Sequence, residues 1–507
     1  MSMPPPPPPR TEHAEDSSPV ASGRFEEHKT PRSVRYAGEA VLEASGVELL
    51  TPTNDRPELR TRANSNRRRS LAMTKPIQTC FILALPWAAY SVVNTVIEDV
   101  RLPYMSSMGI GEFVPRFLPP LTALFLSPIL GAASDRSLSK WGRRNVFLVT
   151  AAIMLVVSGL SFGSAQVLFP NYQGFTNLVF FFLNVGLLLL SISLRARLMD
   201  EVPLQYQVHA QAALTFWAGV GALVGNKLFR DVSSAKEISG KQVLISFSEA
   251  MAGVIATTAL CIKLRKEHPQ DRPAFQPPLD RLVREVREQI VYAPRIFRIL
   301  CLVYFVQFFA WMSFRAEVFA WWTRNVYKGC TGSGCSSDEQ QDYADAMDIA
   351  TLALMCQNAL QMLVSLIILW VIPKDICYKL NRASVVGLAL GSVALIGAVS
   401  VGGAWKIVTF AAFVAVAFYQ IVVSIFPYSV VGIMGKQMQE TAHGFNNNGL
   451  YIGVLGSFSA VSQLFVQLYG TEKMAPLGTG NVMALPCGLF VAGIIVTYKF
   501  TFARRKQ

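Results

Sequence analysis

The chain has 507 residues, of which 52% are hydrophobic and only 16% charged, with a mean hydropathy of +0.35 and a net charge of +13. A soluble protein of this length divides into several domains with charged surfaces, and this composition excludes that class. The basic surplus sits in short loops between apolar runs, with no basic stripe interleaved with aromatics, which argues against nucleic acid as a partner.

Residues 1–72 are rich in Pro, Ser, Glu and Arg and begin with a proline run from Pro4 to Pro9. Such a segment cannot bury a core, so it is expected to be a disordered cytosolic tail. It has no apolar signal-peptide core, and the first membrane helix is expected to direct insertion. The tail ends on Arg67-Arg68-Arg69-Ser70. That cluster reads either as an anchor beside anionic lipid or as a phosphorylation site that weakens the anchor.

Apolar segments follow at 77–97, 113–133, 146–164, 175–194, 209–229 and 242–262. Each has about the 20 residues needed to cross about 30 Å of hydrocarbon. A polar stretch, 263–295, then carries Lys263, Arg265, Lys266, Arg272, Arg281, Arg284 and Arg287 among several prolines. Six more segments lie at 297–323, 347–372, 384–404, 406–434, 446–469 and 481–500. The pattern predicts an all-α membrane protein with twelve transmembrane helices in two six-helix bundles, 73–262 and 296–500. A cytosolic linker (263–295) joins them, and a short tail (501–507) follows. With the N-terminus inside, roughly twenty Lys and Arg fall on inner loops and roughly eight on outer ones, as the positive-inside rule requires. Both termini are therefore expected in the cytosol, in either the plasma membrane or an organelle membrane.

Most of the cysteines lie within apolar runs, and none has zinc-ligand spacing with histidine. Cys330 and Cys335 are the exception. They flank Thr-Gly-Ser-Gly in a predicted outer loop, where a disulfide can close a short ring. Small residues recur in the apolar segments. Gly449-Leu-Tyr-Ile-Gly453 has the small-xxx-small spacing that lets helices approach closely.

The most specific motif joins the second and third segments: Ser127-Pro-Ile-Leu-Gly131-Ala-Ala-Ser134-Asp135-Arg136, then Gly142-Arg143-Arg144-Asn-Val-Phe147. Gly131 permits close helix approach, Asp135 can bind a helix N-terminus or an arginine, and Arg136, Arg143 and Arg144 supply partners. A charged latch of this kind can hold one access state shut and release it in another.

This motif resembles the loop signature of the major facilitator superfamily. More narrowly, it resembles the plant sucrose–proton symporters and their animal melanosomal relatives, in the glycoside–pentoside–hexuronide group. Gly131, Ser134, Asp135, Ser139, Gly142, Arg143, Arg144 and Phe147 match that pattern. Four further segments fit in order: Pro103-Tyr104 with Gly109-Ile110, Arg195-Ala196 through Asp200, Ala310-Trp311 through Gly329, and Gly449 through Gln463. The chain departs from the family where Asn184 stands for an Asp, Ala320 for an Asp, Asn325 for a Glu, Gly456 for an Asn and Ser462 for a Pro. The resemblance implies a twelve-helix carrier of sucrose or a related glycoside, coupled to protons.

Ionisable residues in apolar segments are costly and are functional candidates by default. Glu98, Asn184, Arg195, Asp200, Arg315 and Glu317 are the candidate substrate and coupling residues. Because Asn184 and Ala320 cannot take up a proton, Glu317 and Glu98 are expected to carry any coupling opposite Arg195. Aromatic faces for a sugar ring are available at Trp87, Tyr90, Trp217, Trp311, Trp321, Tyr419 and Tyr451.

The leading reading is a secondary sugar carrier working by alternating access, acting as a monomer without cofactor or metal. A nucleotide-binding loop is absent, and no nucleophile–base constellation suggests an enzyme. Alternatives are an uncoupled facilitator, a carrier of another small polar solute, or a non-transporting nutrient sensor on the same fold.

Overall fold

The computed structural model describes residues 76–137, 139–169, 172–233, 240–267, 279–330, 334–373, 376–441, 447–469 and 482–502. The expectations for the tail 1–72, for Arg67–Ser70 and for most of the short tail 501–507 lie outside these residues. What is described is nearly all helix. In the first part, α1 (Pro76–Ala84) gives way to α2 (Pro86–Ser107), because Pro86 lacks the amide that would continue α1. Then come α3 (Phe113–Arg136), α4 (Asn145–Gly163), α5 (Gln173–Glu201), α6 (Gln207–Ser233) and α7 (Gly240–Leu264). Within the linker lies α8 (Leu279–Val291). The second part holds α9 (Arg295–Ala320), which ends in a π turn at Trp321–Val326, then α10 (Ser337–Trp370), α11 (Ile376–Val401) and α12 (Lys406–Ala415). It closes with α13 (Ala417–Thr441), α14 (Asn448–Tyr469) and α15 (Ala484–Phe502).

Ten stretches among the described residues are long and apolar enough to cross a membrane. One of them, Lys379–Met438, is 60 residues long and doubles back at the short turn Gly402–Trp405, so that α11 packs against α12 and α13. The expected twelve crossings rest on reading that stretch as two arms and the shorter α15 as one more. The outer faces are apolar: Ile153, Val157 and Leu160 line one side of α4, and Val386, Leu390 and Val393 one side of α11, all exposed. Such stripes suit hydrocarbon rather than water.

Two apolar cores form inside. One draws on residues from Cys80 to Cys261, with Leu369 added. The other draws mainly on residues from Val286 to Phe490, with Ala132, Ile192, Ala196, Met199, Val208 and Ala212 reaching into it. The two sets meet along α3 with α14 and α6 with α10. At the first seam, backbone almost touches backbone. A Cβ on Gly131 would fall 2.2 Å from the Gly449 carbonyl oxygen, and one on Gly453 would fall 2.2 Å from that of Ser127. Only glycine fits such an approach. Ser127 Oγ adds a hydrogen bond to the Gly453 carbonyl and lies 3.4 Å from Ser457 Oγ.

Helix α10 begins about ten residues before the apolar segment that predicts it, and its first turn explains why. Ser336 Oγ accepts from the Glu339 N–H at 3.3 Å, while the Glu339 carboxylate accepts from the Ser336 N–H at 2.8 Å. This capping box extends the helix through a polar stretch beyond the membrane. Just before it, Cys330 and Cys335 are joined as a disulfide, with Cα atoms 6.1 Å apart. In protein purified without reductant, neither cysteine should be alkylated until reduction. Mass spectrometry finding both alkylated beforehand would contradict this pairing.

Candidate functional site

Two polar clusters lie where the two helix sets meet. The first is at the end of the bundle that carries the linker. Asp135, in the last turn of α3, accepts from the backbone N–H of Gly449 (3.0 Å) and Leu450 (2.8 Å), the first turn of α14. The carboxylate thus caps the positive end of a helix from the other set. Arg144 pairs with the same carboxylate and donates from Nη1 to Ser134 Oγ (2.6 Å) and from Nε to Asp200 Oδ2 (2.9 Å). Arg143 also pairs with Asp200. Asp200 Oδ1 accepts from Asn448 Nδ2 at 3.0 Å, and its backbone carbonyl accepts from Lys436 Nζ at 2.6 Å. Arg144 is fully buried and Asp135 nearly so.

The chain is shaped to present these arginines. Gly142 has φ +104°, and a Cβ there would meet Glu267 Oε2 at 2.5 Å. That glutamate, at the start of the linker, accepts from the N–H of Arg144 (2.9 Å) and of Asn145 (3.0 Å). It neutralises the open amides at the start of α4 and holds the arginine pair in place. Arg136 ends α3 beside them. Removing one partner of such a buried charge network costs about 3–5 kcal/mol.

The second cluster surrounds Arg195 on α5. Its guanidinium lies over the Trp87 ring of α2, 4.5 Å from the centroid, and over the Tyr428 ring of α13 at 3.6 Å. Nη1 donates to Gln211 Oε1 of α6 at 2.7 Å. Tyr428 Oη is 3.0 Å from Tyr304 Oη of α9, and the Tyr90 ring lies 4.6 Å from that of Trp87. No carboxylate pairs with Arg195 among the described residues. Even at the centre of a membrane helix an arginine costs about 2.5–3.5 kcal/mol on insertion scales, and Arg195 lies nearer the end of α5. Two desolvated cation–π contacts of up to about 2 kcal/mol each and a charge-assisted hydrogen bond of roughly 1.5–3 kcal/mol are of the same size. Aromatic rings and an amide therefore suffice to hold this charge without a carboxylate.

The remaining candidates are placed as follows. Asp200 belongs to the charge network at the end of the bundle, not to the Arg195 cluster. Asn184, about 16 Å up the helix from Arg195 at 1.5 Å per residue, donates to the Phe180 carbonyl of its own helix at 2.7 Å. Glu98 pairs with Arg101 at 2.9 Å near the opposite end of α2. Glu317 is buried with Oε2 unpaired, while Arg315 is exposed. Neither joins an ion pair among the described residues. Of the aromatic candidates, Trp87 and Tyr90 are at the cluster. Trp321 packs on Phe413, Tyr419 on Phe490 and Tyr451 on Phe297, and Trp217 donates to the Phe81 carbonyl. Sequence reasoning missed Gln211, Tyr304 and Tyr428 at the cluster, and Glu267, Lys436 and Asn448 at the network.

No profile of a known protein family matches the chain. Shorter stretches are similar to curated proteins. One is human solute carrier family 45 member 4, 33% identical over 120 residues, 22% of this chain and 16% of that protein. Another is the Arabidopsis thaliana sucrose transport protein SUC4, 38% identical over 66 residues, 12% of this chain and 13% of that protein. The general alpha-glucoside permease of Schizosaccharomyces pombe is 22% identical over 232 residues, 42% of each chain. These matches span less than half the length of each relative. Among solved structures, FucP, a major facilitator superfamily transporter, superposes with a TM-score of 0.59 at 13% identity, over 84% of this chain and 99% of its own. The proton:xylose symporter XylE does so with a TM-score of 0.55 at 13% identity, over 84% and 95%. The protein is a multi-pass membrane protein with the major facilitator fold. Short stretches of its sequence are similar to a plant sucrose transport protein and to solute carrier family 45 member 4.

Proposed function

We propose that this protein is a secondary carrier that moves a sugar-like solute, of the sucrose or related glycoside class, by alternating access. The observation that carries the reading is the Arg195 cluster. It places a charged hydrogen-bond donor between aromatic faces contributed by both helix sets, Trp87 on one and Tyr428 on the other. A sugar ring offers hydroxyl acceptors to a guanidinium and C–H faces to aromatic rings. A site shared by the two sets is also the place where rocking of one against the other changes access. The Asp135–Arg144–Asp200 network closes one end of that path. Relatives named for sucrose and alpha-glucoside transport support the solute class.

Proton coupling is the finer part of the proposal, and Glu317 is its better carrier. It is buried with an unpaired carboxylate oxygen, whereas Glu98 is half-exposed and paired with Arg101. The competing reading is a facilitator driven by the solute gradient alone, and the lack, among the described residues, of a carboxylate partner for Arg195 favours it. Uptake of labelled sucrose, maltose, glucose and mannitol by proteoliposomes, with and without an imposed pH gradient, separates the two. A coupled carrier accumulates solute above equilibrium when the outside is acidic, and Glu317→Gln removes that accumulation while leaving exchange. Wild type that only equilibrates is a facilitator. No uptake of any of the four sugars by folded protein contradicts the solute class.

A further inference from the structure

Helix α8, in the linker between the two helix sets, has no role in the proposed transport cycle. Leu279, Leu282, Val283, Val286 and Ile290 recur at the spacing of a single helical face. The middle of that face is covered. Val286 is buried, as is Ala293 just beyond the helix, and both belong to the apolar core that includes Ala132 and Phe297. One edge is uncovered: Val283 is 47% exposed and Ile290 39%, and Val291 and Tyr292 follow at 58% and 45%. At 100° per residue, Arg287 projects about 40–60° from Val283 and Ile290, with Arg284 beyond it. Both arginines are exposed, as are Arg295 and Arg298 after the helix. Sequence positions 279–298 hold more arginines than acidic residues, which are Asp280, Glu285 and Glu288.

The place of this edge is fixed by the chain. Only Tyr292, Ala293 and Pro294 separate α8 from the membrane-spanning stretch Arg295–Val326. At about 3.5 Å per residue, the end of α8 lies within roughly 14 Å of the start of the span. It is therefore at headgroup level, where an apolar edge beside a row of arginines is the pattern of an interfacial helix. We propose that α8 docks on the bilayer itself, with Val283 and Ile290 among the upper acyl chains and Arg284 and Arg287 on the phosphates of anionic phospholipids. Because α8 packs against α3, which carries Asp135, docking steadies the helix that closes the gate.

The test uses the full chain in vesicles of phosphatidylcholine, alone or mixed with phosphatidylserine. A nitroxide is attached at Ile290→Cys, and separately at Val283→Cys, after Cys356→Ser, Cys377→Ser and Cys487→Ser, so that the free thiols left are the buried Cys80, Cys261 and Cys301. The label should be more accessible to oxygen than to a water-soluble nickel chelate, and the contrast should grow with phosphatidylserine. Joint Arg284→Gln and Arg287→Gln should lower the docked-to-free ratio roughly tenfold or more, at about one kcal/mol per basic residue. Arg284→Lys with Arg287→Lys should preserve the lipid dependence. Equal nickel access in both lipids overturns the proposal. So does dipolar broadening, which would mean that a second copy covers the edge. Exclusion of both probes also overturns it, because another segment of this chain would then cover the edge.

Discussion

Arg195→Ala should abolish transport, lowering the initial uptake rate at least about a hundredfold. The side chain donates to Gln211 and is stacked between Trp87 and Tyr428, so its loss removes the charged group that the cluster is built around. A charge-assisted hydrogen bond in a water-poor site is worth up to about 3 kcal/mol, which is a factor of about a hundred in rate. Arg195→Lys should retain a small part of the activity, because an ammonium keeps the charge but not the planar face that lies over both rings. Melting temperature in detergent should move little for either variant, since the aromatic pair Tyr304 and Tyr428 remains hydrogen-bonded to each other. An alanine variant that is folded and transports within about threefold of wild type would remove Arg195 from the site.

Asp135→Ala should lower the maximal rate about tenfold or more while leaving the apparent affinity within a few-fold. The carboxylate is not part of the Arg195 cluster. It holds the first amides of α14 and the Arg144 guanidinium, so its loss raises the energy of the closed gate and leaves the solute site alone. The penalty of about 3–5 kcal/mol for an orphaned buried charge is large against a conformational balance of a few kcal/mol. Arg143→Ala should act in the same direction but more weakly. Arg143 reaches Asp200, which Arg144 and Asn448 also hold, and makes only a long 3.4 Å contact to the Asp135 carbonyl. Uptake kinetics over a range of sugar concentrations separate the two parameters. A normal maximal rate for Asp135→Ala would contradict the role given to this network.

Membrane class and helix order could be read from sequence because hydropathy over about 20 residues is a local property. The loop motif could also be singled out, since the identities and spacing of Gly131, Asp135, Gly142, Arg143 and Arg144 carry the chemistry. What they bind was not legible. Asn448 and Lys436 lie more than two hundred residues away in sequence from Asp200, and only packing of α13 and α14 against α5 brings them together. Asp200 is a candidate because it is ionisable and ends an apolar segment, but that does not say which cluster it joins, and its partners Arg143 and Arg144 come from the loop between α3 and α4. The rings over Arg195 were hidden for a similar reason. Tyr428 is one of many aromatics in apolar segments, and nothing local separates it from Tyr419, which packs on Phe490. Helix α8 escaped notice because its apolar stripe is diluted by charges, so the stretch reads as polar on average.

Under the proposed alternating access, the two helix sets rock apart along the α3–α14 seam during each cycle. The most direct measurement is a reversible cross-link across that seam. Ser127 Oγ and Ser457 Oγ are 3.4 Å apart, so Ser127→Cys with Ser457→Cys places two sulfurs within bonding reach across the seam. Uptake by proteoliposomes is then followed before oxidation, after oxidation and after reduction. Oxidation should stop uptake in proportion to the cross-linked fraction, and reduction should restore it. Full-rate uptake by the cross-linked protein would contradict movement along this seam.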